Sequence, residues 1–224
     1  IDLVGSAVRT DGGTAARFAD TVDLDAPDEQ HAGALTKTPY HYEHTFNIAP
    51  GDYKFELSLG IGPNAVAKLE APLSVAPWNG SAFAISSIAL STEMHPAQAE
   101  SEGGGLILEG KGPLTAGGRI FVPSTRPKFD RSAPLYLYTE IYDPGAAPGA
   151  VLEFRVLDAK TGEIRADSGV GGISSYIRPG NPVIPFATKL SLEKLPPGAY
   201  RLEVKAGNRP EALSAVRTTD FGLE

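Results

Sequence analysis

The chain has 224 residues, a formal net charge of −7 and no cysteine. The lack of cysteine excludes disulfides, cysteine nucleophiles and thiolate metal sites. The acidic balance argues against nucleic-acid binding and against adhesion to anionic lipid, because both need clustered Lys and Arg. No apolar run is long enough to span a bilayer, so we expect a protein that is not membrane-spanning.

Apolar and polar residues alternate along most of the chain, which is the period of a β-strand. Predicted strands in the first half cover residues 1–9, 14–24, 42–48, 53–59 and 65–75, the last broken at Pro72. Those in the second half cover residues 83–90, 106–108, 119–122, 135–142, 151–157, 163–168, 183–192, 199–206 and 213–219. No window predicts a long helix. Short strands separated by Gly and Pro turns predict β-sandwiches.

One pattern occurs twice, at residues 50–57 and 197–204, where Pro-Gly-x-Tyr opens an alternating strand. Tyr53 and Tyr200 then begin the inward face of their strands. A tyrosine placed there lies under the turn and bonds nearby backbone through its hydroxyl, which is the tyrosine corner of Greek-key sandwiches. The alternative is two unrelated hairpins that both use Pro-Gly.

The repeat predicts an all-β fold of two tandem domains, each an immunoglobulin-like or fibronectin III-like β-sandwich. The first domain is predicted to cover residues 1–80 and the second residues 81–224. A flexible segment rich in Ala, Glu and Gly is predicted near residues 95–105.

Four stretches carry a resemblance to a known group of proteins: residues 42–59, 83–91, 135–142 and 195–204. In this order they resemble the C-terminal region of bacterial, especially acidobacterial, proteins related to von Willebrand factor A domains. The A domain and its Asp-x-Ser-x-Ser metal signature are absent, so no adhesion-site residue has a counterpart here. The resemblance implies accessory sandwiches of a larger secreted, periplasmic or cell-envelope protein, with a further domain upstream of Ile1.

Motifs of catalysis are weak in this sequence. Residues 60–65 fit G-x-G-x-x-A, but no βαβ unit and no suitably spaced acidic residue follow. Residues 191–194 fit S-x-x-K, yet they lead into a strand rather than lying on a helix. His41 and His44 fall on opposite faces of a predicted strand, a poor geometry for zinc. We therefore predict no enzyme activity, no cofactor and no transition-metal site.

An acidic stretch at residues 20–29 is a weak calcium candidate, with Asp23, Asp25 and Asp28 as ligands. Calcium needs several oxygens that converge from one loop, and sandwich loops often supply them. The spacing is irregular, so a solvated acidic loop is the alternative.

Aromatic residues concentrate on one face of the strand predicted at residues 135–142. Tyr136, Tyr138 and Tyr142 share that face, whereas aliphatic residues share the other and are predicted to form the core. The tyrosine face has three alternative roles: packing under a loop or against the first domain, contact with a protein partner, or contact with a glycan. Trp78, near the domain boundary, is predicted to wedge the domains together or to join this binding surface.

These observations predict a non-enzymatic structural or protein-interaction module of a larger secreted or envelope bacterial protein. The alternative is a carbohydrate-binding accessory module, which needs an exposed aromatic row formed by Tyr136, Tyr138 and Tyr142. An enzyme with an unfamiliar site would need a pocket where acidic residues or histidines converge.

Overall fold

The computed structural model describes residues 1–23, 42–62, 65–97, 113–143, 145 and 149–224. Strands dominate these ranges, and Ser174–Tyr176 forms a 3-10 turn. The predicted all-β class is confirmed. Within the same ranges, no helix has the length and apolar character needed to cross a membrane.

The chain divides into two compact units. Unit 1 holds the described residues from Ile1 to Pro77, and unit 2 holds those from Trp78 to Glu224. Residues 78–80, which the sequence analysis assigns to the first domain, therefore belong to unit 2. That the units are two separate domains stays a prediction.

Unit 1 contains one antiparallel sheet in its described residues. Its strands are β1 (Asp2–Arg9), β2 (Thr14–Thr21), β3 (Gly51–Ile61) and β4 (Ala65–Val75). Their order across the sheet is β2-β1-β3-β4, so β2 and β4 are the edge strands. The alternating pattern of each strand directs one apolar face to the same side of the sheet.

Two predictions for unit 1 are wrong in detail. Strand β4 runs through Pro72 without a break. An edge strand directs alternate N–H groups away from its neighbour, so a proline there removes no ladder hydrogen bond. Residues 42–48 form no strand. Their rings instead cover the apolar face of the sheet, where His44 stacks on Phe18 with centroids 3.9 Å apart and Phe46 stacks near Phe55.

Unit 2 is built from many short strands and a few long ones. In chain order they are β5 (Ala84–Ile85), β6 (Ala89–Ser91), β7 (Glu93–Pro96), β8 (Leu114–Ala116), β9 (Arg119–Val122), β10 (Lys128–Phe129), β11 (Leu135–Tyr142), β12 (Val151–Asp158), β13 (Ile164–Asp167), β14 (Gly171–Gly172), β15 (Val183–Leu190), β16 (Gly198–Gly207) and β17 (Ala215–Leu223).

Two sheets of unit 2 pack face to face as a sandwich. One has the order β15-β11-β5, with β6 also paired to β11. The other has the order β10-β17-β16-β12-β13, with β14 also paired to β12. The core between them contains fully buried side chains from both sheets: Leu137, Ile141, Ile184, Val156, Leu202 and Val204.

A third layer covers the outer face of the first of these sheets. It is the small antiparallel sheet β7-β9-β8, inserted in the chain between β6 and β10. A second apolar cluster lies between this layer and the sandwich, and it includes Ala116, Phe121, Tyr138 and Ala187. Strand β11 is consequently buried on both faces.

The strand predicted at residues 83–90 is interrupted, which corrects that prediction. β5 and β6 both pair with β11, but residues 86–88 between them leave the ladder. The Ser86 hydroxyl accepts the backbone N–H of Glu140 at 2.9 Å and lies 3.1 Å from the Thr139 hydroxyl. The Ser86 hydroxyl oxygen thus accepts the N–H that a backbone carbonyl would accept in a regular ladder.

The segment predicted to be flexible lies partly outside the described residues. Residues 98–105 are not described, whereas His95 and Pro96 lie in β7. The strand predicted at residues 106–108 also lies outside the described part of the chain.

Candidate functional site

Strand β11 presents its tyrosines and its aliphatic residues on opposite faces, as the alternation predicts. Leu137 and Ile141 are fully buried in the sandwich core. Tyr138, on the outer face, is only 4% exposed, while Tyr136 and Tyr142 are half-buried. The three tyrosines do not form the exposed row that carbohydrate binding would need.

The cover over Tyr138 is the small sheet of unit 2. The Phe121 ring of β9 lies 5.4 Å from the Tyr138 ring, centroid to centroid, at an angle of 36°. Phe121 itself has no exposed surface. Of the three roles that the sequence left open for the tyrosine face, Tyr138 takes the first, because it is packed under another element. That element is the small sheet, which belongs to the same unit.

A carboxylate between two of the tyrosines is the main feature that the sequence analysis missed. Glu140 accepts hydrogen bonds from the hydroxyls of Tyr138 at 3.2 Å and Tyr142 at 2.8 Å. The three residues are spaced by two along β11, so strand geometry sets them on one face. That Tyr-x-Glu-x-Tyr spacing was the signal available in the sequence.

Burial sets the chemistry of this cluster. It raises the pKa of Tyr138 and of Tyr142 well above the usual tyrosine range, and the negative charge of Glu140 raises both further. Both hydroxyls therefore stay protonated and act as donors to the carboxylate. The two hydrogen bonds hold the Glu140 side chain between Tyr138 and Tyr142 on the outer face of β11.

Trp78 belongs to unit 2 and contacts Tyr142. Their ring centroids are 4.9 Å apart and the planes are tilted by 36°. The indole N–H donates to the Ala82 carbonyl at 2.7 Å, which pins the ring over the turn that leads into β5. Its proposed role as a wedge between domains stays a prediction.

The repeated Pro-Gly-x-Tyr motif produces the same contact in each unit. The Tyr53 hydroxyl donates to the Ala49 carbonyl at 2.7 Å, and the Tyr200 hydroxyl donates to the Pro196 carbonyl at 2.6 Å. Each bond reaches four residues back along the chain and closes the turn before the strand. A Cβ at Gly51 would stand 3.1 Å from the Tyr53 hydroxyl oxygen, so glycine gives the ring its room.

A second polar cluster, in unit 1, fixes residues 42–46 on the sheet. The Tyr42 hydroxyl donates to the Asp20 carboxylate at 2.8 Å and lies 3.2 Å from Nδ1 of His44. Burial and the Asp20 carboxylate raise the pKa of Tyr42 to about 12. No local pattern predicts this contact, because 21 residues stand between the two partners in the chain.

The structure describes one of the three calcium candidates. Asp23 is exposed at the end of the described range, whereas Asp25 and Asp28 lie outside the described residues. Among the residues that are described, no three His, Asp or Glu side chains cluster in a way that could hold a metal ion. Calcium binding by the acidic stretch stays a prediction.

Buried polar groups in the described part of the chain are all satisfied. No buried side-chain nitrogen or oxygen there lacks a hydrogen-bond partner. Buried polar residues such as Ser91 and Thr139 serve strand junctions, since the Ser91 hydroxyl donates to the Val122 carbonyl and accepts the Glu93 N–H at 2.8 Å. These hydrogen bonds join neighbouring strands of unit 2.

No protein family model matches this chain, and no curated protein matches it.

Proposed function

We propose that the chain is a non-enzymatic protein-interaction module of a larger secreted or envelope bacterial protein, and that it binds through the outer edge of β4. The observation that carries this proposal is the exposure of that edge. A strand edge with free N–H and C=O groups is a template for pairing with another strand.

Strand β4 is eleven residues long and pairs with β3 on one side. No described strand pairs with its other side. Residues 67–70 in its middle are all exposed, and Leu69 is 54% exposed, which is high for a large apolar side chain. Length, an open ladder and an apolar side chain together favour strand addition at this edge.

The long edge strand of unit 2, β15, is protected from pairing with another strand. The Tyr176 hydroxyl donates to the backbone carbonyl of Ala187 in β15 at 3.0 Å, and Pro185 of the same strand has no N–H to offer. Pro residues and capping groups are the usual means by which proteins block edge pairing. Strand β4 also has a proline, Pro72, but residues 65–71 before it contain none.

The edge strands at the two ends of the other sandwich sheet are short. Strand β10 has two residues and β13 has four. Arg155 bonds Asp167 of β13 at 2.9 Å, so this edge is also charged. Neither strand offers a ladder comparable to that of β4.

We propose no second function in carbohydrate binding. Stacking on a sugar needs exposed rings in a common plane, whereas Tyr138 is buried and the rings of Trp78 and Tyr142 are tilted. The larger parent protein and its location follow from the resemblance noted in the sequence and are part of the proposal.

Photo-crosslinking in the cells that naturally make the protein tests this function. Lys68, in the open edge, is replaced by a photoreactive phenylalanine, and Lys160, in an exposed turn of unit 2, receives the same change as a matched control. We expect illumination to give a heavier product from position 68 and none from position 160. The band without illumination should exceed the 23.5 kDa of this chain if it is part of a larger protein. Equal crosslinking at both positions, or none at position 68, contradicts the proposal.

A further inference from the structure

We infer that the open edge of β4 pairs with the same edge of a second copy of this chain, in one antiparallel register centred on Leu69. This inference rests on the proposed function, because it names the partner of the same edge. Its support is the pattern of charge and size along β4.

Residues 67–71 read Ala-Lys-Leu-Glu-Ala. Antiparallel pairing about a two-fold axis at Leu69 sets Lys68 of each copy opposite Glu70 of the other. Leu69 then faces Leu69 of the second copy, and Ala67 faces Ala71. Opposite charges and matched apolar side chains are the cross-strand pairs that stabilise a sheet. This stretch is therefore complementary to itself.

Other registers of the same pairing are less favourable. Moving the axis by one residue in either direction sets Lys68 opposite Lys68, or Glu70 opposite Glu70, and like charges directly opposite each other destabilise a sheet. If the axis lies between two residues, each residue stands opposite one whose side chain points to the other face of the sheet. The charges thus select the register centred on Leu69.

The backbone of β4 fits this register over residues 67–71. In an antiparallel ladder, alternate residues direct their N–H and C=O groups to the same neighbour. Pro72 has no N–H, yet the ladder with β3 continues through it, so Pro72 fits the set that faces the open edge. In this register Pro72 would stand opposite residue 66 of the second copy without an N–H to donate, so the hydrogen-bonded pairs between copies are the two formed by residues 68 and 70. Lys68 and Glu70 belong to the same alternate set. They would exchange backbone hydrogen bonds between copies, and the Leu69 side chains would meet at a non-hydrogen-bonded pair, where side chains approach most closely.

The side chains already fit such an extension of the sheet. The Glu70 carboxylate stands opposite Glu56 of β3 and lies 3.6 Å from the Lys54 ammonium group, so Lys68 of a second copy would place a further positive charge beside these two carboxylates. On the other face Leu69 pairs with Leu57 of β3, and the second copy would continue this apolar row. Pairing joins two four-stranded sheets into one and covers Leu69. An interface confined to one edge is small, so the dimer should be weak and should depend on concentration.

Cysteine crosslinking of the full chain tests the register directly, because the natural sequence has no cysteine. In Leu69→Cys the two thiols would meet at the two-fold axis, and mild oxidation should convert most of the concentrated protein to a disulfide-linked dimer. Ser74→Cys is the matched control, since it is exposed on the same strand but lies far from its own counterpart in this register. Equal crosslinking of both variants, or none of Leu69→Cys, overturns the inference.

Charge reversal is an independent test that leaves Leu69 in place. Lys68→Glu alone, or Glu70→Lys alone, sets like charges opposite each other twice and should weaken the dimer about tenfold in sedimentation equilibrium. An equimolar mixture of the two variants restores opposite charges at every position and should form a heterodimer. A wild type that stays monomeric at every concentration, or a mixture no tighter than either variant, contradicts self-pairing.

The two experiments separate this inference from the proposed function. If position 68 crosslinks in cells to a different protein while the purified chain stays monomeric, self-pairing is wrong and the interaction edge stands. If position 68 crosslinks to nothing, both fail.

Discussion

A single tyrosine hydroxyl closes the turn before a long strand in each unit. In a Pro-Gly turn the backbone carbonyls of Ala49 and Pro196 have no strand partner, and the hydroxyls of Tyr53 and Tyr200 satisfy them. The contact could be predicted from sequence because it is local: turn, glycine and ring lie within five residues of one another. The bond between Tyr42 and Asp20 could not be predicted, because it depends on how distant segments meet.

The tyrosine corners should contribute to stability separately in the two units. Tyr53→Phe and Tyr200→Phe each remove one hydrogen bond to a turn carbonyl, and each should lower the free energy of unfolding by about 1 kcal/mol. Trp78, the lone tryptophan, lies in unit 2, so its fluorescence in urea should respond to Tyr200→Phe. Far-ultraviolet circular dichroism, which reports all strands, should respond to both.

Tyr136→Phe is the control for this prediction, because the Tyr136 hydroxyl has no hydrogen bond to any residue that the structure describes. A loss for Tyr136→Phe as large as that for the two corner variants would show that the effect is not due to the corner hydrogen bonds.

At the scale of elements, strand β11 joins the two apolar clusters of unit 2. Its aliphatic face could be predicted from alternation, and the structure buries that face as expected. The cover on its tyrosine face could not be predicted, because alternation identifies the side chains that share a face and not the element that packs on them. The covering sheet is made of strands of three and four residues, too short to show a clear period.

Removing the largest buried ring of that cover should destabilise unit 2. Phe121→Ala deletes a fully buried side chain that packs on Tyr138, and we expect a loss of about 3–5 kcal/mol in urea unfolding followed by Trp78 fluorescence.

Ile164→Ala is the matched control for Phe121→Ala, because Ile164 is a large apolar residue of unit 2 that is 49% exposed. Its loss should stay below about 0.5 kcal/mol. If Phe121→Ala loses no more than this control, the small sheet does not stabilise β11 as described.

At the scale of the whole molecule, the two units differ in which strand edges and sheet faces remain uncovered. In unit 2 the aromatic face that the sequence suggested for binding is covered from within, and its long edge strand is capped. In unit 1 the described sheet leaves β4 as an open edge with an exposed leucine. The all-β class follows from alternation and turn residues, whereas the surface available to a partner depends on which edges and faces remain uncovered after folding.

Hydrogen–deuterium exchange of the intact chain at two concentrations tests this central claim most directly. In dilute protein, the amides of β11 should exchange slowly and the outward amides of β4, including those of Lys68 and Glu70, should exchange fast. In concentrated protein, the β4 amides should become protected while those of β11 stay unchanged. Fast exchange along β11, together with β4 amides that are protected at both concentrations, would contradict the account.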